Sequence, residues 1–224
     1  MPKMTVANAQ LQLPEERSSQ SRGAVMSSQR PRLLEAMANL VSQHGYASVR
    51  IEDITTQAGT AKRTFYTYFA DKEACFLAIY DELIDEQRKA IENSIRLDTS
   101  HEERMFCITS ALIDTWIRMG SKVRIFVTEA FSVSSATLSH HIEARKSLAE
   151  LMVDTCREVS ATNPKWHPMT EAHAQAVVGF IMGFLLQALQ APTGIHSLAS
   201  QKEALSGALS TLMLAKSAFV QGAD

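Results

Sequence analysis

Apolar residues recur at three- and four-residue intervals through most of the chain, and no stretch keeps the two-residue alternation of a half-buried strand. This spacing places apolar side chains on one face of a helix, and each such face needs a partner helix to cover it. We therefore predict an all-α fold of about nine helices, in which three small helices precede a bundle of long ones. Turn-prone pieces such as 162–164 and 191–194 separate the long helices.

The helical pattern divides the chain into three predicted parts. Residues 1–27 are rich in Ser, Gln and Arg, and we predict a flexible arm there, with contact to a polyanion through Arg17 and Arg22 as the alternative. Residues 28–72, called the head below, hold the small helices, and residues 73–224 form the body. The helices are predicted at 28–44, 51–58, 61–69, 72–95, 102–119, 121–131, 136–159, 170–190 and 200–219. Thr60 is a predicted N-cap of the third helix and Asp71 of the fourth.

Charge is unevenly distributed between these parts. The chain carries a formal net charge of -2, but residues 1–72 hold nine Lys and Arg against six Asp and Glu. A basic N-terminal part on an acidic body suits a localised contact with a polyanion. The three cysteines are far apart, which indicates neither a disulfide framework nor a zinc site and fits a reducing cytoplasm. The longest apolar run, 177–189, is too short to span a bilayer, which needs about 20 residues.

Two short predicted helices, 51–58 and 61–69, are joined by a tight turn at Gly59, which is the pattern of a helix-turn-helix. Phe65 and Phe69 lie one turn apart on the second helix and are expected to anchor it to its neighbours. The opposite side of that helix carries four groups able to reach a base edge or a phosphate, namely Lys62, Arg63, Tyr66 and Thr67. A helix of this kind fits the major groove of double-stranded DNA.

The stretch 58–69, followed by Asp71, Lys72 and Glu73, closely resembles the DNA-binding signature of the TetR (tetracycline repressor) family. Upstream, Gly45-Tyr46 and the segment 51–54 fall at the same family's spacing, so the resemblance covers roughly residues 28–75. It implies that Lys62, Arg63 and Thr67 face base edges. It also implies phosphate contacts, which set register and salt dependence, at Thr64, Tyr66, Tyr68 and Lys72.

Two positions depart from the family's pattern. Position 50 usually holds a Thr or Ser that caps the second helix, and Arg50 is unable to cap in that way. We expect Arg50 to hold a phosphate instead, with Ser48 as an alternative cap. Position 63 is often Gly, so Arg63 adds a guanidinium able to set an operator preference of its own. Glu52 and Asp53 would repel phosphate unless they point away or pair with Arg50.

For the body, the resemblance implies a ligand-binding bundle that also pairs two copies of the chain. The predicted homodimer would match a palindromic operator in double-stranded DNA, with recognition helices about 34–36 Å apart. We predict the dimer interface on the last two helices, at Val178, Gly179, Met182, Gly183, Leu186, Leu205, Leu209 and Leu212. The effector is unidentified, and aromatic and Met residues suit an apolar molecule in a pocket walled by Trp116, Met119, Phe126, Phe131, Met152, Cys156, His173 and Phe180.

Other functions are less well supported by the sequence. An enzyme on a helical bundle needs a catalytic constellation, and motifs for a nucleophile elbow, a phosphate loop or a zinc protease are absent. No cofactor or metal site is predicted, and His140 and His141 are interpreted as surface residues. A second hypothesis remains open, in which the helix-turn-helix dimer has no small-molecule effector. Repression is favoured over activation, since a dimer seated on a promoter blocks it sterically.

Overall fold

The first helix, α1 (Pro14–His44), is longer than the sequence indicated. The computed structural model describes residues 14–95, 99–129, 131–162 and 169–214, with side chains from residue 29 onward except at 159, 162, 213 and 214. Residues 14–27, which the sequence indicated as an arm, continue α1 as a helix, while residues 1–13 lie outside the described residues. Those helical residues carry no apolar stripe, so periodicity missed them. Pro at the first helical position followed by two Glu favours a helix start there.

Three further elements complete the head around the apolar face of α1. A 3₁₀ turn (Tyr46–Ser48) leads into α2 (Ile51–Ala58), and α3 (Lys62–Tyr68) follows directly. Leu34 of α1, Ile54 of α2 and Phe65 of α3 are all fully buried. Each of these short helices is too short to be stable alone, so this shared core holds them in place.

The long helix α4 (Lys72–Ser94) connects the head to the body. Its N-cap is Asp71, whose carboxylate accepts a hydrogen bond from the Ala74 backbone N–H at 2.8 Å, which confirms the predicted cap. Its 23 residues span roughly 35 Å at the usual helical rise. Buried side chains such as Phe76 and Leu83 run along its length, so head and body share one continuous core.

Five more helices form the body: α5 (His101–Met119), α6 (Ser121–Thr128), α7 (Ser135–Thr162), α8 (Glu171–Gln190) and α9 (Lys202–Leu214), with a 3₁₀ segment (Gly194–Gln201) before the last. Helix α5 packs on α4 and α9, α7 packs on α4 and α8, and α6 packs on α1. The described residues thus contain nine α-helices and no strand, which confirms the predicted fold class. The last helix was predicted to run to residue 219, of which 215–219 lie outside the described residues.

Candidate nucleic-acid interface and ligand cavity

The turn between α2 and α3 depends on Gly59. Its φ of 60° and ψ of 43° lie in the left-handed region, which costs a glycine little and other residues more. The Thr60 N–H reaches back to the Thr55 carbonyl at 2.9 Å and closes the end of α2. The sequence also suggested Thr60 as the cap of α3, and this is wrong, because the N-cap position is Ala61 and no side chain caps it. Residues 59–61 thus form the short turn that joins α2 to α3.

Helix α3 is anchored on one side and open on the other. Phe65 is fully buried and Phe69 nearly so, with their ring centroids 5.5 Å apart, as the sequence predicted. On the opposite side Tyr66 is 50% exposed. Lys62, Arg63 and Thr67 are exposed as well, while Thr64 and Tyr68 are half-buried. The arrangement presents a polar helix face on a rigid apolar support.

An ion pair crosses the angle between the two helices. The Lys62 ammonium donates a hydrogen bond to a Glu52 carboxylate oxygen, and both side chains are more than half exposed. This hydrogen bond lowers the pKa of Glu52 and raises the pKa of Lys62, so both groups stay charged near neutral pH. Glu52 therefore pairs with Lys62 on the same face. This ion pair explains how a carboxylate is tolerated beside the predicted DNA contacts.

Arg50 occupies the N-cap position of α2 with its side chain exposed, and that side chain makes no capping hydrogen bond. The cap is supplied in the reverse direction, since the Arg50 backbone N–H donates to an Asp53 carboxylate oxygen at 2.9 Å. Ser48, suggested from the sequence as an alternative cap, lies in the preceding 3₁₀ turn. The Arg50 guanidinium is thus left at the surface, and Asp53 has a structural partner.

Lys72 holds the segment between α1 and α2 in place. Its ammonium donates to the carbonyls of Tyr46 and Val49 at 3.0 and 2.9 Å, and it lies 4.0 Å from the centroid of the Tyr46 ring. Burial lowers the pKa of Lys72. A lysine ammonium has three donors, so two are used within the chain and one is left for a phosphate. Lys72 therefore has a structural role that the sequence did not reveal.

The body contains an apolar cavity of about 70 Å³ that is partly open to solvent. Five helices contribute to its wall. The residues that line it are Gln87, Ile91, Met105, Ile108, Leu112, Trp116, Leu148, Met152, Thr155, Val178, Ile181, Met182 and Leu209. Of the predicted pocket residues, Trp116 and Met152 are among them. The α4 residues and the other α5 residues were missed, because their apolar faces looked like ordinary core.

The other six predicted pocket residues do not line this cavity. Three of them, Met119, Phe126 and Cys156, are buried in the core elsewhere, because their helices turn them toward other neighbours. The His173 ring is hydrogen-bonded at 2.6 Å to the Leu212 carbonyl. Phe131 and Phe180 are 71% and 38% exposed, so both lie at the surface of the chain.

Helices α8 and α9 each have an inner face, which packs inside the body, and an outer face at the surface of the chain. Of the residues predicted for the dimer interface, Val178, Met182 and Leu209 line the cavity and Leu205 is buried, because these positions lie on the inner faces of α8 and α9. Gly183 and Leu186 are exposed, whereas Gly179 and Leu212 are half-buried. The outer face of α8 combines these small residues with the exposed ring of Phe180, a combination that permits close approach of another helix.

The sequence of the head matches a known family. A model of bacterial regulatory proteins of the tetR family matches residues 33–79, which contain α2, α3 and the anchored face described above. The transcriptional repressor NicS of Pseudomonas putida is 31% identical over 119 residues, which are 53% of this chain and 52% of NicS. The head therefore resembles the DNA-binding part of tetR-family regulators. The matched relatives are transcriptional regulators and not enzymes, and the match spans about half the length of NicS.

Solved structures of transcriptional regulators share the fold over about four fifths of this chain. The transcriptional regulator FadR from Bacillus subtilis, solved in complex with stearoyl-CoA, superposes with a TM-score of 0.63 at 16% identity, over 81% of this chain and 96% of FadR. The TetR-family regulator PfmR from Thermus thermophilus gives 0.59 at 18% identity, over 82% of this chain and 97% of PfmR. At these identities the likeness shows the fold alone.

Two features outside the TetR motif complete the picture. By length and composition alone, helix α8 could cross a membrane. The apolar run 177–189, judged too short for this from the sequence, is only part of that helix. A core or interface helix of a bundle meets the same criteria.

His141, predicted at the surface, is 3% exposed and packs on Tyr80 and Phe126, whereas His140 contacts Asp81 at 2.9 Å. No cluster of three or more potential metal ligands occurs among the described residues.

Proposed function

We propose that this chain is a cytoplasmic transcriptional repressor of the TetR family that binds a palindromic operator as a homodimer and is released by a small apolar molecule. The observation that carries the proposal is the exposed polar face of α3, held on the buried Phe65 and Phe69 within the segment that matches the family. A small helix on a rigid support is what readout in the major groove requires.

The proposed contacts follow the exposure of each side chain. Arg63 and Thr67, with Lys62, read base edges, while Arg50, Thr64, Tyr66, Tyr68 and Lys72 hold phosphates. Arg63 has the largest expected effect on sequence preference, because a bidentate arginine–guanine pair contributes about 1–3 kcal/mol of discrimination. Lys62 is the second candidate, and its ion pair with Glu52 fixes where its ammonium lies.

The first test is selection of genomic DNA fragments on the protein at moderate salt, followed by sequencing of what is retained. We expect a short palindrome, and we expect Arg63→Ala to lose it while keeping the thermal stability of the parent. The control is Arg157→Ala, an equally exposed arginine on α7 whose side chain pairs with Asp154. Recovery of the same palindrome with Arg63→Ala would contradict the proposed base reader, and recovery of no motif with the parent would contradict a sequence-specific regulator.

The proposed dimer uses the outer faces of α8 and α9. Phe180, Gly183 and Leu186 lie exposed along one side of α8, and only 28% of the most apolar window of this helix is buried within the chain. A large apolar face of this kind is typical of an obligate interface. The test is sedimentation of Phe180→Asp, which we expect to be monomeric and to bind the palindrome weakly. The matched control, Phe131→Asp at another exposed aromatic, is expected to stay dimeric.

A further inference from the structure

The apolar wall of the cavity includes a buried polar side chain. Of the lining residues only Gln87 and Thr155 have polar side chains, and none of the described lining residues is charged. Gln87 belongs to α4 and is 3% exposed, so its amide is held inside the protein. A buried amide needs hydrogen-bond partners to offset its loss of water.

Two hydrogen bonds fix the orientation of that amide. The Trp116 indole N–H, which is only a donor, lies 3.2 Å from Gln87 Oε1, so this atom has to be the oxygen. Gln87 Nε2 donates to the Leu83 carbonyl at 3.3 Å, in agreement with that assignment. An amide has two lone pairs and two N–H groups, so one lone pair and one N–H are left over. Both belong to a side chain that lines the cavity.

The cavity also disfavours a charged ligand. A carboxylate taken from water into apolar surroundings needs a cation or several donors, and its transfer is costly without them. The nearest basic residue along α4, Arg88, donates to Ser147 Oγ at 3.0 Å and does not line the cavity. A neutral carbonyl, amide or hydroxyl group needs only the single donor and acceptor that Gln87 supplies.

We propose that the effector is a neutral, mainly apolar molecule with one carbonyl, amide or hydroxyl group that hydrogen-bonds to Gln87, and that a carboxylate of the same chain length binds this cavity more weakly. This inference rests on the proposed function, because it names the ligand class of the same site. The apolar part of the molecule packs on Trp116, Met152 and the neighbouring aliphatic side chains.

The experiment uses Trp116 as the reporter. The chain has two tryptophans, so Trp166→Phe leaves an emission signal from the cavity wall alone. This variant is titrated with decanamide, 1-decanol and decanoate at about pH 8, where the acid is ionised. We expect saturable changes with the amide and the alcohol and binding at least about tenfold weaker for decanoate. Equal or tighter binding of decanoate overturns the proposal, and so does the absence of binding for all three.

The role of Gln87 is tested with two variants. Gln87→Leu is expected to weaken decanamide binding about tenfold, the effect of one buried hydrogen bond, while Thr155→Val leaves it unchanged. Because Gln87→Leu also orphans the indole N–H of Trp116, its fold is checked by circular dichroism, and the comparison of ligands on the parent protein stands without it. Loss of decanamide binding in Thr155→Val alone would assign the polar contact to Thr155 and overturn the inference for Gln87.

Release from DNA is measured separately, by fluorescence anisotropy of a labelled operator fragment in the presence of the same three compounds. If decanamide changes Trp116 emission but leaves the protein on DNA, the ligand class stands and the proposed release mechanism is wrong. If decanoate releases the protein from DNA and the neutral compounds do not, the regulator stands and the inferred ligand class is wrong.

Discussion

The head and the body are built from the same kind of amphipathic helix, yet they leave opposite surfaces for partners. Helix α3 turns Phe65 inward and leaves Lys62 and Arg63 outside. Helix α8 instead keeps apolar side chains on both sides, with Val178 in the cavity wall and Phe180 at the surface. A charged outer face suits a polyanion, whereas an apolar outer face and an apolar cavity suit another protein chain and an apolar ligand.

The contact between the head and the body, called the joint below, contains charged side chains, whereas the interior of each region is apolar. Lys122 of α6 is 8% exposed, and its ammonium lies 2.6 Å from Glu82 of α4 and 3.7 Å from Glu35 of α1. The Tyr46 N–H also donates to Glu129, which ends α6, at 3.5 Å. Hydrogen bonds weaken steeply outside a narrow range of distance and angle, so a shift of α6 would weaken these contacts.

The largest expected effect comes from the anchor of the head. Phe65→Ala empties a fully buried position, and such truncations lower the free energy of unfolding by about 3–5 kcal/mol. Urea unfolding followed by circular dichroism measures the loss, and DNA binding is expected to disappear. The control is Tyr66→Ala, on the exposed side, with little effect on stability. If Trp116 emission still reports ligand in Phe65→Ala, head and body unfold separately; loss of both signals would show one cooperative unit.

The joint is expected to have the next largest effect. Lys122→Met removes the cation from two carboxylates, and we expect a loss of about 1–3 kcal/mol, less than for a fully buried pair because Glu35 and Glu82 are partly exposed. Thermal unfolding measures the stability. Operator binding with and without the neutral ligand measures the coupling between the regions, which we expect to weaken. The control is Lys146→Met, at an exposed pair with Glu150. Unchanged coupling in Lys122→Met would place the signal in α4 alone.

A smaller effect, confined to the body, depends on pH. Burial lowers the pKa of His141, and Arg145 on the same helix adds to the decrease, while Tyr80, Phe126 and Phe131 pack around the ring. The unfolded chain therefore takes up this proton first as the pH falls below about 6.5, and the protein loses stability from there downward. His141→Phe is expected to remove this part of the acid destabilisation in urea titrations at about pH 7.5 and 5.5, whereas His140→Gln keeps it. An unchanged slope in His141→Phe would assign the acid sensitivity to other groups.

The two regions also differ in how much their sequence reveals. The head is fixed by contacts between residues close in sequence, so Asp71 as a cap and Phe65 and Phe69 as anchors were predictable from spacing. The cavity is assembled from five helices, and spacing tells which side of a helix is apolar but not which neighbour that side meets. Phe126 illustrates this, since its ring packs on Tyr80 at 5.0 Å and not on the cavity.

Single polar residues in apolar surroundings were the other signal that the sequence analysis passed over. Gln87 lies on a face of α4 that also carries the apolar residues Leu83 and Ile91. Its hydrogen-bond partner Trp116 lies on another helix, so spacing along α4 does not reveal why the amide is buried. The missed start of α1 has a different cause, because residues 14–27 form a helix without an apolar stripe. Hydrophobic periodicity reveals a helix only where one of its faces is apolar, so it misses a helix without such a face.

The smallest expected effect comes from a substitution on the outer face of the head, where an increase and a decrease in DNA affinity have different meanings. Glu52→Gln removes a carboxylate that neutralises Lys62, so Lys62 becomes available to any nearby phosphate. We expect a few-fold tighter binding to all DNA sequences, a salt dependence steeper by about one unit, and a lower ratio of specific to non-specific affinity. Glu203→Gln, on the exposed side of α9, is the control and should change none of these.

The opposite result for Glu52→Gln would revise the division of labour on α3. Weaker binding to the operator, with unchanged binding to random DNA, would mean that the carboxylate positions the Lys62 ammonium for a base. In that case the ion pair is part of sequence readout, and Lys62 and Arg63 act together. Anisotropy titrations of operator and random fragments at three salt concentrations separate the two outcomes, because only the first changes the salt dependence.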